Sequence, residues 1–242
     1  MSLIVFLRSD IFSRIMSFAS ERDKIPFRHL TWSEPSLLFR VIENRIDYSS
    51  DGVTSPDVLW EKYFCKHIDG IPLRTYVQSL ILPRPRDIVF LFKTALQEAV
   101  NKGHSKVEEE DFKAAEYSYS EYALQSLFPE NGGRIKNLES ILYEFAGEKS
   151  IINKEELEES LRKNTLTNIE DIIRILCEMT FIGQEIQEGK FEYYSEKRST
   201  QITDKLADRL SERNSCSKRY QINPAFHAYL EIEKVNLPIP SP

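Results

Sequence analysis

Ile88, Leu91, Phe92, Ala95, Leu96 and Ala99 recur three and four positions apart between Asp87 and Gly103. That spacing gathers them on one side of an α-helix about four turns long. Pro83 and Pro85 stop whatever precedes it, and Gly103 supplies the left-handed turn on which helices end. The spacing predicts this as the strongest helix of the chain, with Asp87 as its N-cap. An apolar stripe of this length must be covered, so the rest of the chain is constrained to supply packing partners, and most of them read as helices too.

Upstream, Ile11, Phe12, Ile15 and Met16 suggest a first helix. Ser33 reads as the cap of a second helix, with Pro35 in its first turn and Leu37, Leu38, Val41, Ile42 and Ile46 inside. Val58–Ile68 reads as a third, broken at Asp69-Gly70-Ile71-Pro72, and Leu73–Leu82 as a fourth. Downstream, a long helix is predicted from about Glu108 to Phe128. Asn131-Gly132-Gly133 then marks a boundary.

Past that linker the periodicity changes. Short helices are predicted over Leu138–Phe145, from an Asn153 cap through Leu161, and from Asn168 to Thr180. Two strands, 182–186 and 191–194, flank the turn Gln187-Glu188-Gly189-Lys190. Three helices and a two-stranded wing outline a winged helix-turn-helix. A charged segment, 195–217, interrupts it before a third strand at Tyr220-Gln221-Ile222 and a closing helix over Pro224–Ile232, and 237–242 reads as a frayed tail.

The opening run Leu3-Ile4-Val5-Phe6-Leu7 is too short for a membrane span and lacks the basic flank of a signal peptide. It reads as a strand buried on both faces, which requires neighbouring strands. Arg8 follows it, at the end where open α/β sheets bind ligands. Cys65, Cys177 and Cys216 share no motif spacing, and the four histidines do not cluster with them. This predicts free thiols in a reducing compartment, the cytoplasm, and no metal site.

Net charge is −6 and uneven: 14 Lys+Arg against 12 Asp+Glu up to residue 104, then 18 against 26. The helix from Asn168 carries Glu170, Asp171 and Glu178 against Arg174, a poor set for reading a DNA groove. Lys197, Arg198, Lys205, Arg209, Arg213, Lys218 and Arg219 form a basic neighbourhood around the wing. Glu196, Asp204, Asp208 and Glu212 are interleaved with them, partly at i, i+4 spacing, which predicts a self-paired, solvated helix. Nucleic acid is therefore not the expected partner.

No phosphate loop G-x-x-x-x-G-K-[ST] and no nucleophile–base arrangement occurs, so no catalytic residue is assigned. The candidate anion-binding residues are Arg8 and the rigid Pro83-Arg84-Pro85-Arg86-Asp87 at a helix mouth.

The order of strand–Arg8-Ser9-Asp10, Leu30-Thr31-Trp32-Ser33, the helix ending Asn44-Arg45-Ile46, and Arg84-Pro85-Arg86-Asp87 resembles a family of prokaryotic signal-transduction P-loop ATPases, STAND-like within the wider AAA-related class. The resemblance covers residues 1–130 by motif. It implies a mainly α chain: a remnant β-strand from the ATPase core (1–32), a helical lid bundle (33–130), a winged helix-turn-helix domain (134–235, α+β) and a disordered tail (236–242). It implies that Arg8 is a sensor arginine and that Pro85 and Arg86 sit at the nucleotide-facing start of the lid helix. The phosphate loop and the Walker B acid would lie upstream of Met1. ATP or ADP would then bind only with a complementary P-loop segment, and this polypeptide would not hydrolyse ATP alone. The implied function is a regulatory and interaction portion of a signalling ATPase, with prokaryotic defence as the context. Its partner would be the P-loop half or another protein, and an oligomer is compatible with it. The alternative is a stand-alone winged-helix DNA-binding regulator.

Overall fold

The computed structural model describes residues 4–7, 9–21, 24–28, 30, 32, 34–50, 55–163, 168–194 and 200–235. The chain divides into two compact units, residues 1–31 and residues 32–242. The architecture is mainly α with small antiparallel sheets.

In the first unit, α1 (Ser9–Phe18) carries Phe12, whose ring centroid lies 4.9 Å from that of Phe27. The expected opening strand does not form over Ile4–Leu7: these residues are unpaired, and Ile4, Val5 and Phe6 are largely exposed. An apolar run becomes a strand only where a neighbour takes its backbone hydrogen bonds. None does so here among the described residues.

The second unit begins with α2 (Pro35–Ser49), α3 (Pro56–Tyr63) and α4 (Leu73–Leu80). The cap position read at Ser33 lies outside the described residues. The third helix ends earlier than its periodicity predicted. Phe64 bridges to Val107, and β1 (His67–Ile68) turns through Asp69 and Gly70 into β2 (Ile71–Pro72). Asp69 and Gly70 both have positive φ, 49° and 76°, the pair that a two-residue hairpin of matching twist requires. Trp60 fixes α2, α3 and α4 together: its indole N–H donates to Glu43 Oε1 at 2.7 Å, and the Arg74 guanidinium lies over its ring.

The centre of the unit is α5 (Pro85–Lys102) packed against α6 (Glu109–Asn131). The start of α5 faces the end of α6 and the reverse, so the pair is antiparallel. Phe39, Phe64, Phe92 and Phe112 are fully buried; the first three meet Trp60 edge-on or tilted, and Phe112 packs on Phe64 and Phe92. α5 closes at Gly103, φ +75°, where the His104 N–H reaches back to the Ala99 carbonyl at 2.9 Å.

After α6 come α7 (Leu138–Tyr143), β3 (Ile151–Asn153), α8 (Lys154–Arg162), α9 (Ile169–Glu178), β4 (Ile182–Gln187), β5 (Lys190–Glu192), α10 (Thr200–Asn214) and β6 (Arg219–Ile222). The four strands form one antiparallel sheet in the order β3-β6-β4-β5. The predicted caps are present: Asn153 Oδ1 accepts from the Glu156 N–H at 2.8 Å while Glu156 accepts the Asn153 N–H at 3.0 Å. Asn168 Oδ1 likewise accepts from Glu170. The predicted closing helix is only a 3-10 turn, Pro224–Phe226, followed by turns. Its residues anchor elsewhere: the Tyr229 N–H donates to Ser120 Oγ of α6 at 3.0 Å, and the Leu230 carbonyl accepts the Gly147 N–H at 2.9 Å. The tail read at 237–242 lies outside the described residues. No helix among the described residues is long and apolar enough to cross a membrane.

Candidate functional site: the mouth of α5

α4 stops at Leu80 because Pro83 and Pro85 cannot extend it. Ile81 and Leu82 are buried beneath the turn, and Pro85 takes the first position of α5, where its missing N–H is not needed. The N-cap is Arg84, not Asp87 as the sequence suggested. Asp87 lies in the first helical turn with its carboxylate turned inward and fully buried. A carboxylate suits either position, because both face the free N–H groups of the first turn. The proline decides where the helix begins.

The buried carboxylate organises the site. Arg84 donates from Nε to Asp87 Oδ2 at 2.8 Å and from Nη2 to Oδ1 at 3.1 Å. The Tyr119 hydroxyl, from the middle of α6, donates to Asp87 Oδ1 at 3.0 Å and accepts the Leu82 N–H at 2.9 Å. Burial pushes the Asp87 carboxyl up from its ordinary value, while Arg84 and the tyrosine hydroxyl pull it down. Burial, with the Asp87 charge beside it, puts the Tyr119 phenol well above its ordinary value, so it stays a neutral donor. The result is a rigid clamp joining the 81–84 turn, α5 and α6.

Arg86 stands outside this clamp. Its Nη2 meets Glu130 Oε1 at 2.5 Å on the last turn of α6, and its Nε lies 3.6 Å from Asp87 Oδ2. Arg84 Nη1 lies 3.6 Å from the other Glu130 oxygen. The side chains of Arg86 and Glu130 are 45% and 29% exposed, whereas Asp87 has no exposure. Burial opposes the Arg86 charge, but Glu130 and Asp87 outweigh it and leave the guanidinium pKa raised. One turn along, Phe90 and Tyr122 stack face to face, with centroids 4.1 Å apart and planes 8° apart.

The sequence-predicted residues Pro85 and Arg86 thus share one helix mouth with Arg84. Arg8 lies outside the described residues. Two residues that complete the site carried no local signal: Glu130 is 44 positions from Arg86, and Tyr119 is 32 from Asp87. Tyr119 falls inside the helix predicted from about Glu108 to Phe128, and nothing near it in sequence marks its partner.

Chemically, the mouth holds two guanidinium groups and two carboxylates. The inner pair is locked by a tyrosine. The outer pair is partly hydrated, and an incoming oxyanion can compete with Glu130 for Arg86. Residues 36–128 match the model of a family described as a FunZ-associated C-terminal helical domain. The matched stretch runs from α2 into α6 and includes Arg84, Pro85, Arg86, Asp87 and Tyr119. No curated protein and no solved structure matches the chain.

At the opposite end of the α5–α6 pair, His104, Glu110 and Asp111 bring ligand-type atoms within 4.8 Å of one another. Asp111 is already engaged: Oδ2 accepts from His104 Nδ1 at 2.8 Å and from the Glu108 N–H at 2.9 Å, and the Lys102 ammonium lies 3.0 Å from Oδ1. This cluster caps α6 and pins the end of α5 to it.

On α9, Glu170 and Arg174 face outward, and Arg174 is tied to Asp171. On α10, Ala207 and Leu210 are buried. Lys205, Arg209 and Arg213 line up on an exposed side, yet make no ion pair among the described residues. Asp208 instead pairs with Lys218. Of the expected self-pairing, the Asp208–Lys218 pair forms, with Lys218 in the loop just before β6, while Lys205, Arg209 and Arg213 of α10 make none among the described residues. Lys197 and Arg198 lie outside the described residues.

Proposed function

We propose that residues 33–130 act as the nucleotide-sensing lid of a switch ATPase of the P-loop class and that the remainder is its regulatory and interaction part. The match to a C-terminal helical domain supports a regulatory or interaction portion. The single observation that carries the nucleotide reading is Arg86. It sits at the N-terminal mouth of a helix, backed by a rigid clamp, in an exchangeable pair with a half-buried glutamate. A terminal phosphate would take the place of Glu130, with the helix dipole adding to the attraction. Arg84 would stay on Asp87 and hold the mouth in shape. We propose separately that Arg8 acts as a sensor arginine.

The phosphate loop and Mg²⁺ site supply most of the stabilisation of phosphoryl transfer. In this reading a complementary P-loop segment provides them, and the chain alone binds nucleotide weakly without turning it over. Cytoplasmic signalling, prokaryotic defence included, is the proposed setting.

Residues 134–235 are proposed to be a winged helix whose wing is enlarged. In support, α7, β3, α8, α9, β4 and β6 follow one another with β6 central in the sheet, and β5 and α10 are inserted before β6.

Anisotropy titration of a fluorescent ATP analogue tests the lid assignment. Removing Glu130 abolishes a competing partly exposed pair worth about 1 kcal/mol, so Glu130→Ala should tighten binding about fivefold. Arg86→Ala should abolish it. Equal affinity in all three proteins would contradict the proposal.

A second reading, a DNA-binding regulator, draws on the unpaired Lys205, Arg209 and Arg213 of α10. The acidic outward face of α9 weighs against it. Salt-sensitive gel shifts with random duplex DNA would favour it.

A further inference from the structure

Besides the buried stripe that faces α6, α5 carries a second apolar seam. Val89, Phe92, Leu96 and Val100 follow one another three or four residues apart on the flank towards α2, opposite Ile42 and Ile46. Between the two helices lies an open groove of about 800 Å³, lined also by Tyr63. Leu96 is 38% exposed and Val100 75%. From Val89 to Val100 the seam runs about 16 Å, the length of three helical turns.

Apolar residues at this spacing, lining a groove between two helices, form the receiving half of a helix-in-groove contact. Their counterpart is a helix with apolar residues at i, i+4 and i+7.

The rim specifies the chemistry of the partner. Arg45 of α2 and Lys93 of α5 flank the groove from opposite helices. Among the described residues neither makes an ion pair, whereas Arg84, Arg86 and Lys102 on or beside the same helix are all paired. Glu98 is the one carboxylate of the lining, so the rim is net positive.

The geometry points to an interaction surface between α2 and α5 that takes an amphipathic helix of a partner protein, apolar on the face it buries and acidic along its edges. The seam supplies burial, and Arg45 and Lys93 select against basic helices by leaving like charges opposed. This surface does not involve Arg86, so it stands whether or not the lid reading holds.

The test uses the full chain and two fluorescein-labelled 18-residue peptides, each with leucine at i, i+4, i+7 and i+11. One has glutamate on both edges, and the other has lysine at the same positions. Anisotropy should give an affinity of about 10 µM for the acidic peptide and at least about tenfold weaker binding of the basic one. Val100→Asp sits at an exposed position that folding does not need, and it should cost the acidic peptide at least about tenfold in affinity. The double variant Arg45→Glu, Lys93→Glu should reverse the preference between the peptides. Lys205→Glu, on α10, should change nothing. Equal binding of both peptides, no binding of either at millimolar concentration, or indifference to Val100→Asp would overturn the proposal. A concentration-dependent dimer that Val100→Asp dissolves would also overturn it, by assigning the groove to a second copy of the chain.

Discussion

Replacing Tyr119 by phenylalanine removes a single oxygen from the centre of the α5–α6 interface. That oxygen does two things: it donates to the buried Asp87 carboxylate and accepts the Leu82 N–H. Loss of a hydrogen bond to a charged group costs about 1.5–3 kcal/mol, and leaving a buried N–H unsatisfied costs about 1–3 kcal/mol. The ring keeps its volume, so no cavity forms. Because the two losses share one atom they do not add fully, and the expected destabilisation is about 3 kcal/mol. For a unit of this size that lowers Tm by about 6–12 °C. Urea denaturation followed by fluorescence of Trp60, which sits in the adjoining aromatic core, measures the change directly. Calorimetry gives the Tm. A loss below about 1 kcal/mol would refute the reasoning, since the hydroxyl would then be no more than a replaceable surface-type contact.

Gly183→Ala places a Cβ 2.8 Å from two ring carbons of Tyr193, which is itself held by Gln221. The resulting overpacking should cost about 1–3 kcal/mol in urea denaturation. Gly103→Ala meets open space but must keep φ near +75°, so it should cost about 1 kcal/mol from backbone strain alone. His227 is buried, its Nε2 bonded to the Ile222 carbonyl, and burial lowers its pKa from the ordinary 6.5. The unfolded chain therefore takes up this proton first, and the contribution of His227 is present above pH 6.5 and lost as pH falls below it. His104 carries the opposite sign. Its bond to Asp111 raises its pKa, so its stabilisation is complete below pH 6.5 and is lost as pH rises through the folded value. Urea midpoints across pH 5–8 should lose their acid-side slope in His227→Gln and their alkaline-side slope in His104→Gln.

Long elements with a regular apolar period were legible in the sequence: α5 with Gly103 at its end, α6, the Asn153 and Asn168 caps, and the hairpin of β4 and β5. Each rests on residues within a few positions of one another. Over Ile4–Leu7 the opening run was misread as a strand because strand formation depends on partners rather than on composition. The β1–β2 hairpin was missed because two-residue strands leave no period to detect, although Asp69-Gly70 marked the turn. At the site, rigid prolines flagged Arg84 and Arg86, but their counter-charge and clamp come from Glu130 and Tyr119 on another helix. Only the antiparallel packing of α5 on α6 brings those groups together. Around α10, interleaved charges suggested self-pairing; Asp208 pairs with Lys218 from the loop before β6, which leaves the edge of Lys205, Arg209 and Arg213 open.

In the proposed function Arg86 exchanges Glu130 for a phosphate oxygen. Side-chain ¹⁵N NMR of the arginine Nε–H groups, recorded while Mg-ATP is added, observes that exchange at the atom concerned. The predicted result is a saturable shift of the Arg86 resonance with Arg84 unmoved, occurring at lower nucleotide concentration in Glu130→Ala. An Arg86 resonance that stays in place in both proteins up to millimolar nucleotide would contradict it.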